Sequence, residues 1–371
     1  MTTKKHTKHA QLQKPKGGRF HQNEIAILGA PCHIIQDLVE KITIPLSQRM
    51  RVSFVDADHS ESENENSVFF EKYTDKISFH RLDFNADIIE FRYRQLFNHS
   101  DLVLVNGNHF KAKKQIVIIN EKKKESLSRK LDRLTDVGLI LLDKGMSGVF
   151  PFIKEHLQDE VPEILQISEK EKIAQWIEEN VTIPGIKGLV FAGGKSIRMG
   201  RDKGAIDYFG KPQREYAADI LSGVSSEVFL SVRPGMNISS DYRLIEDRFT
   251  GLGPYGGLLS AFMHDPNSAW LAVSCDVPLV DQSAIDRLIK ERNPSKVATC
   301  YHNPETGFPE PLITLWEPRA YPVLLNFLSM GYSCPRKALI NSEIEEIQSD
   351  RPEILTNVNT PEDLEKVKAV L

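Results

Sequence analysis

Residues 186–203 read IKGLVFAGGKSIRMGRDK, and this stretch decides the fold expected for the second half of the chain. Its apolar start predicts a buried strand that leads into the glycine pair Gly193-Gly194. Glycines have no side chain to keep a phosphate away from backbone N–H groups, so the pair suits close phosphate contact. Four cations follow within nine residues, namely Lys195, Arg198, Arg201 and Lys203. The stretch therefore predicts a loop that holds a nucleoside triphosphate, and the alternative is a surface loop with incidental lysines.

Two further stretches extend this site. Residues 270–278 (WLAVSCDVP) predict a buried strand that ends at Asp276, and ligands of α/β sheets bind at that end of a strand. A carboxylate there is a suitable Mg²⁺ ligand, although an aspartate can also merely cap a turn. Residues 245–257 (IEDRFTGLGPYGG) place Asp247 before a glycine-rich helix start, where it could accept from ribose hydroxyls or base N–H groups. A plain joint between loop and helix is the alternative for this third stretch.

The pattern of strands and helices starts afresh near residues 181–185, which predicts a domain boundary there. We expect a basic flexible tail at 1–22, an α/β domain at 23–183 and a second α/β domain at 184–371. Residues 58–67 (DHSESENENS) are polar and acidic, and predict a loop. The predicted helices cover 33–42, 126–135, 169–180, 213–223, 256–264, 282–292 and 361–371.

Composition excludes several classes of protein. Of the 371 residues, 40% are hydrophobic and 26% charged, which is typical of a globular chain rather than a disordered or fibrous one. No apolar run approaches the roughly 18 residues that span a bilayer, so no membrane association is expected. The net charge of −4 argues against nucleic-acid binding, and four scattered cysteines fit a reducing cytoplasm.

The C-terminal half resembles the molybdenum cofactor guanylyltransferases. The resemblance covers roughly residues 184–371 and rests on five segments: the AGGxSxRMGxDK loop at 192–203, the GP-x-GG segment at 253–257, the CDxP turn at 275–278, PEPL at 309–312 and NVNTPEDL at 357–364. It implies a Rossmann-like, GT-A-like nucleotidyltransferase fold with a mostly parallel sheet, so that the chain would hold two three-layer α/β domains. It also implies the roles of individual residues: GTP contacts for Ala192, Gly193, Gly194, Lys203 and Asp247, Mg²⁺ binding for Asp276, and catalysis by Lys203, Arg198 and Asp276.

By this resemblance the enzyme transfers GMP from GTP to molybdopterin and releases pyrophosphate. GTP and molybdopterin would be its substrates and Mg²⁺ its cofactor, with transient contacts to molybdenum insertion proteins and apo-molybdoenzymes. The sequence departs from the family in two places: the loop is one residue shorter between Gly200 and Asp202 than in some members, and Val232 precedes Arg233 where a nucleotide-contacting Asn is expected. Cytidylyl or sugar-phosphate nucleotidyl transfer, and a non-catalytic cofactor carrier or scaffold, remain alternatives.

The N-terminal domain has the outline of a P-loop without its chemistry. Residues 25–36 (IAILGAPCHIIQ) predict strand, turn and helix, but the positions of the P-loop GK[ST] hold Ile34, Ile35 and Gln36. This outline resembles a degenerate P-loop adaptor protein of molybdopterin guanine dinucleotide synthesis. A docking module, a purely structural domain and retained nucleotide binding are all open. The polar cluster of Asn106, Asn108 and His109 fits either a ligand site or a hydrogen-bonded turn.

Overall fold

The computed structural model of the protein describes residues 18–57, 69–158, 162–194 and 199–369. The chain divides into two compact units, Met1–Thr182 and Ile183–Leu371. Residues 1–17 of the predicted tail and the predicted loop at 58–67 lie outside the described residues. Phe20, which the sequence assigned to the tail, is 1% exposed and packs on the rings of Tyr93, Phe97 and Phe110. Burial of this ring gives the chain a fixed position three residues before Asn23.

The first unit is built on a six-stranded parallel sheet in the order β2-β5-β1-β6-β7-β8. The described strands of the whole unit, including β3 and β4, which lie outside this sheet, are β1 (Glu24–Leu28), β2 (Val52–Val55), β3 (Glu71–Lys76), β4 (Phe79–Phe84), β5 (Leu102–Asn106), β6 (Lys114–Ile119), β7 (Val137–Leu142) and β8 (Glu163–Gln166). Its helices are α1 (Cys32–Leu46), α2 (Tyr93–Leu96), α3 (Lys124–Ser128), α4 (Pro151–His156) and α5 (Lys170–Glu179). The central strands β1 and β5 are buried along their whole length, because α1 and α5 cover one face of the sheet, whereas Phe20 and the aromatic side chains of Tyr93 and Phe97 cover the other. On that second face, α3 and α4 cover β6 and β7.

The predicted helix at 126–135 is wrong in extent. The chain forms the short helix α3 and then a single 3₁₀ turn at Leu131–Arg133. Leu127, Leu131 and Leu134 follow a helical spacing, which is why the sequence predicts one continuous helix. However, the Ser128 hydroxyl donates to the Glu125 carbonyl, and such local side-chain bonds compete with helix propagation.

Strands β3 and β4 form a separate two-stranded hairpin that sequence analysis did not predict. Residues 71–76 (EKYTDK) carry only one large apolar side chain, Tyr73, so the strand shows no alternation of apolar and polar residues. Several large apolar side chains of this segment are exposed: Phe69, Phe70, Tyr73, Ile77, Phe79 and Leu82.

The second unit is built on a seven-stranded mixed sheet in the order β11-β10-β9-β12-β14-β13-β15. Its strands are β9 (Ile186–Phe191), β10 (Val228–Val232), β11 (Arg243–Glu246), β12 (Ala269–Ser274), β13 (Ala298–Asn303), β14 (Phe308–Trp316) and β15 (Ile344–Gln348). Its helices are α6 (Gln213–Ser222), α7 (Pro254–His264), α8 (Gln282–Lys290), α9 (Ala320–Ser329), α10 (Pro335–Ile340) and α11 (Pro361–Lys368). Strand β14 runs antiparallel to both of its neighbours, and the other adjacent strands are parallel.

Helices cover both faces of this sheet. Helices α6 and α8 contribute Leu221 and Leu288 to the core on one face, whereas α7 and α9 contribute Phe262 and Leu324 to the core on the other. The predicted fold class, two three-layer α/β domains with a mostly parallel sheet in the second, is confirmed.

The last helix begins as its sequence predicts. The Thr360 hydroxyl accepts from the Asp363 backbone N–H, the Asp363 carboxylate accepts from the Thr360 N–H, and Pro361 occupies the first turn. The helix ends at Lys368 rather than at residue 371, and residues 370–371 are not described. Throughout the described ranges, no helix is both long and apolar enough to cross a bilayer.

Candidate active site

The candidate site of the second unit is a cleft of about 790 Å³ along the carboxyl edge of four adjacent parallel strands, β11, β10, β9 and β12. All the described residues predicted for the site line it: Ala192, Gly193, Gly194, Lys203, Asp247 and Asp276. Each follows the end of a strand or lies in the loop after β9, because parallel strands bring their carboxyl ends to one edge. Arg198 and Lys195 lie outside the described residues.

The glycine pair after β9 serves two different purposes. A Cβ on Gly193 would lie 2.9 Å from the Arg233 backbone nitrogen, so this glycine is required by the packing of the protein itself. A Cβ on Gly194 would meet no described atom within 4 Å, although the residue lines the cleft. Among the described residues, none occupies the space beside Gly194. The preceding residue, Ala192, donates its N–H to the Ser231 carbonyl and so ties the loop to β10.

Lys203 is held in place by the segment that precedes α11. Its ammonium group donates to the Asn359 side-chain oxygen at 2.7 Å and lies 3.7 Å from Asp276 Oδ2. Asn359 is fixed in turn, because its backbone N–H donates to the Asp363 carboxylate at 3.0 Å. Asp202, next to the lysine, pairs with Arg214 at 2.7 Å and accepts from the Gly204 N–H. Sequence analysis did not assign Asn359 to the site, although the residue lies in the 357–364 segment on which the family resemblance rests and directly precedes the N-cap of α11.

Asp276 lies at the carboxyl end of β12. Its Oδ1 accepts from the Ser274 hydroxyl, and its main-chain carbonyl accepts from the Val358 N–H at 2.8 Å. The side chain is 22% exposed, so the carboxylate is partly desolvated and still reachable from the cleft. The neighbouring Cys275 is buried, and burial raises the pKa of its thiol. A neutral, enclosed thiol is a poor nucleophile, which favours a packing role for this cysteine.

Asp247 lies at the other end of the cleft. Its N–H donates to the Val232 carbonyl, and its Oδ1 accepts from the Ser231 hydroxyl at 2.7 Å. Burial raises the pKa of the Asp247 carboxyl to about 6, and the Ser231 hydrogen bond opposes that rise. Val232 is buried in the core, so the position where the family pattern leads one to expect Asn points away from the cleft, whereas Ser231 and Arg233 line it.

The two carboxylates follow different strands of the sheet. Asp247 follows β11 and Asp276 follows β12, and the axes of these strands are three strand spacings, or about 14 Å, apart. Asp247 reaches back to β10, where it accepts from the Ser231 hydroxyl. The cleft therefore has carboxylates at two separate positions along the sheet edge.

Asp276 is the carboxylate that fits a divalent cation. It is a hard oxygen donor, it is partly desolvated, and it lies beside the cleft lysine. Magnesium in nucleotide enzymes is commonly held by one or two carboxylates together with substrate phosphates, so one protein carboxylate is an adequate donor set. Among the described residues, no group of three or more His, Cys, Asp or Glu side chains is arranged to hold a metal.

The polar cluster of the first unit is hydrogen-bonded to neighbouring loops of that unit. Asn106 donates to Asp56 at 2.7 Å, Asn108 donates to the Ala30 carbonyl at 2.8 Å, and the His109 ring lies 3.2 Å from the Cys32 sulfur. These bonds join the loops that follow β1, β2 and β5. The geometry agrees with the interpretation of the cluster as a hydrogen-bonded turn.

Comparison with known proteins identifies relatives of the second unit. Residues 188–344 match the family model described as the MobA-like NTP transferase domain. A protein of Vibrio parahaemolyticus named molybdenum cofactor guanylyltransferase is 30% identical over 188 residues, covering 47% of this chain and 91% of that protein. A molybdenum cofactor biosynthesis bifunctional protein of Synechocystis is 37% identical over 180 residues, covering 47% of this chain. The chain spans about half, 52%, of the length of that bifunctional relative.

Among solved structures, the molybdopterin-guanine dinucleotide biosynthesis protein A of Archaeoglobus fulgidus is 21% identical, with a TM-score of 0.42, over 50% of this chain and 97% of that chain. The resemblance predicted for the C-terminal half is confirmed by the family model and the Vibrio relative, and the resemblance predicted for the N-terminal domain stays a prediction. The matched residues 188–344 include β10, β11, β12 and all but the first two residues of β9, the four strands that carry the cleft. Through its C-terminal half, the chain therefore belongs to the family of MobA-like NTP transferases and is a nucleotidyltransferase.

Proposed function

We propose that the second unit transfers GMP from GTP to molybdopterin and releases pyrophosphate. The observation that carries this proposal is the arrangement of one cleft, with a glycine loop in the middle, Lys203 and Asp276 at one end and Asp247 at the other. The choice of molybdopterin as acceptor is supported by the names of the relatives, which refer to the synthesis of the molybdenum cofactor.

The side chains at the two ends of the cleft suit different parts of the nucleotide. The triphosphate suits the end with Lys203, because an ammonium group neutralises charge that builds up as pyrophosphate leaves. Ribose or guanine suits the end with Asp247. With a pKa of about 6, that carboxyl is mostly ionised at neutral pH and can accept from hydroxyl or N–H groups.

The chemistry needs no strong base in the protein. A phosphate monoester has a second pKa of about 6, so the terminal phosphate of molybdopterin is already largely dianionic at pH 7. It can attack the α-phosphorus of GTP directly while the bond to pyrophosphate breaks. The residues of the cleft then act by alignment and charge neutralisation, with Lys203 held in place by Asn359 and with Arg198 as a second cation.

Asp276 would hold Mg²⁺ in this reaction. When bound, the ion supplies positive charge beside the triphosphate oxygens. Ser274, which donates to Oδ1 of Asp276, would keep the carboxylate oriented so that its other oxygen faces the cleft.

The proposal extends to the first unit and to the fate of the product. We expect the first unit to dock cofactor or partner without nucleotide hydrolysis, since it has Ile34, Ile35 and Gln36 in place of the P-loop lysine and hydroxyl. The finished dinucleotide would then pass to molybdenum insertion proteins and apo-molybdoenzymes by transient contact.

The decisive experiment measures pyrophosphate release by the full chain with Mg²⁺ and molybdopterin, comparing GTP with CTP and ATP. GTP-selective release that requires molybdopterin is the expected result. Release selective for CTP would instead support the cytidylyl alternative. Binding of GTP by folded protein without any release would overturn the proposal in favour of a cofactor carrier.

Two aspartate variants test the metal assignment. Asp276→Ala should lower Mg²⁺-dependent turnover by a factor of about 100 or more, since loss of one such electrostatic group costs on the order of 3 kcal/mol. Asp286→Asn is the matched control, because Asp286 is an exposed carboxylate on α8 that does not line the cleft. Near-normal turnover of Asp276→Ala would refute the assignment.

A further inference from the structure

We propose that the hairpin of β3 and β4 pairs with the same hairpin of a second copy of this chain, through the outer edge of β4. Within the described ranges, β4 pairs with β3 alone. A two-stranded sheet is marginally stable by itself, and an exposed strand edge is a template for another strand. The hairpin also exposes Tyr73 by 64% and Leu82 by 48%, while the Ile77 side chain at its turn is fully exposed. These features suit a sheet that is completed by association.

The hairpin register shows which backbone groups face outward. The Asn85 N–H donates to the Phe70 carbonyl, which marks these two residues as a hydrogen-bonded pair of the ladder. Because such pairs alternate along an antiparallel ladder, Arg81 and Asp83 also direct their backbone groups to β3. The intervening residues of β4, His80, Leu82 and Phe84, therefore direct theirs to the outer edge.

Twofold symmetry restricts how two β4 edges can meet. In a symmetric antiparallel pair, one position must face its own copy, and its neighbours face each other across the axis. Centring on Arg81 would oppose two guanidinium groups, and centring on Asp83 would oppose two carboxylates. Centring on Leu82 places Arg81 of each copy opposite Asp83 of the other, and it forms a hydrogen-bonded Leu82 pair from outward-facing groups. Registers centred nearer either end of β4 pair fewer of its residues.

The same register continues an apolar row. Tyr73 lies opposite Leu82 within the hairpin. With Leu82 opposite its own copy, the four-stranded sheet carries Tyr73, Leu82, Leu82 and Tyr73 side by side on one face. Cross-strand apolar neighbours of this kind stabilise antiparallel sheets, and opposite charges facing each other on the other face add to this. The charge pattern, the direction of the backbone groups and the apolar row thus all favour pairing with β4 of a second copy, with Leu82 opposite Leu82.

Charge reversal tests the register on the full chain, with molecular mass measured by sedimentation equilibrium over a wide range of concentration. Wild type should show a concentration-dependent dimer. Arg81→Asp and Asp83→Arg each set like charges opposite one another twice, and each should raise the dimer dissociation constant by at least about tenfold. An equimolar mixture of the two variants should associate as a heterodimer with near-wild-type affinity, because every facing pair is again opposite in sign.

The mixing experiment separates this contact from a role inside one chain. Arg81 Nε lies 2.7 Å from Asp83 Oδ1 of the same strand, and loss of that ion pair could weaken the hairpin by itself. Mixing cannot restore an ion pair within a chain. The control is Lys41→Asp, which breaks the similarly exposed Lys41–Asp37 pair on α1 and should leave the dimer unchanged. A wild type that stays monomeric, a dimer indifferent to Arg81→Asp, or single variants that remain monomeric when mixed would each overturn the proposal.

Discussion

Asp247→Asn should stabilise the protein and impair it at the same time. The structure places this carboxyl where burial raises its pKa from an ordinary 3.8 to about 6. A rise of that size corresponds to about 3 kcal/mol of disfavoured ionisation, which we reduce to about 1.5 kcal/mol because the side chain is partly solvated. Asparagine has nearly the same shape, carries no charge, and keeps an oxygen that can accept from the Ser231 hydroxyl.

The sign of the pH dependence follows from the two pKa values. Above pH 6 the carboxyl is ionised in both the folded and the unfolded chain, so the folded state carries the full cost of the buried charge. As the pH falls from 6 towards 4, the folded state takes up its proton first and the cost disappears. The stabilisation by Asp247→Asn should therefore be complete at pH 8, much smaller at pH 4, and absent below about pH 3.

Urea unfolding in a Trp176→Phe background can measure this difference. The two remaining tryptophans, Trp270 and Trp316, are both buried in the second unit and report on it alone. In parallel, the KM for GTP should rise by about tenfold, since a hydrogen bond to a charged group is lost. A destabilised variant at pH 8, or a gain that persists unchanged at pH 4, would refute the reasoning.

Further outcomes follow from other parts of the cleft. Gly194→Ala should fold normally but weaken GTP binding in a calorimetric titration, whereas Gly193→Ala should lower the free energy of unfolding, since its Cβ would press on the Arg233 nitrogen. Equal effects of the two variants on GTP binding and on the free energy of unfolding would contradict the different roles of these glycines. Cys275→Ser should retain most pyrophosphate release, because burial raises the pKa of that thiol, and a loss of several orders of magnitude in a stable variant would reveal a catalytic cysteine. Residues 183–371 expressed alone should fold and keep GTP-dependent turnover, and an insoluble product would indicate a core shared with the first unit.

The parts of the site that sequence could predict are those written in short, local patterns. The loop after β9 and the turn at Asp276 each combine an apolar run with a polar end, and any sheet of parallel strands brings such ends to one edge. The segment around Asn359 was recognised in the sequence, but the role of Asn359 escaped prediction because its partner Lys203 is 156 residues away. The raised pKa of Asp247 was equally hidden, since it depends on burial.

The fold shows the same division. Strands β1, β5, β9 and β12 are continuous apolar runs and were visible in the sequence, whereas the polar hairpin strand β3 was not. The predicted helix at 126–135 failed because apolar spacing alone does not record the competing hydrogen bond of Ser128.

The contact between Lys203 and Asn359 also has a consequence for folding order. The two residues are 156 positions apart, and closing a loop of that length has an entropic cost. The chain recovers this cost only when β12 and the start of α11 are both in place. Lys203 should then reach its final position late, after the sheet has formed. A nucleotide that binds through Lys203 would select chains whose C-terminal unit has finished folding, and it would slow their unfolding rather than speed their folding.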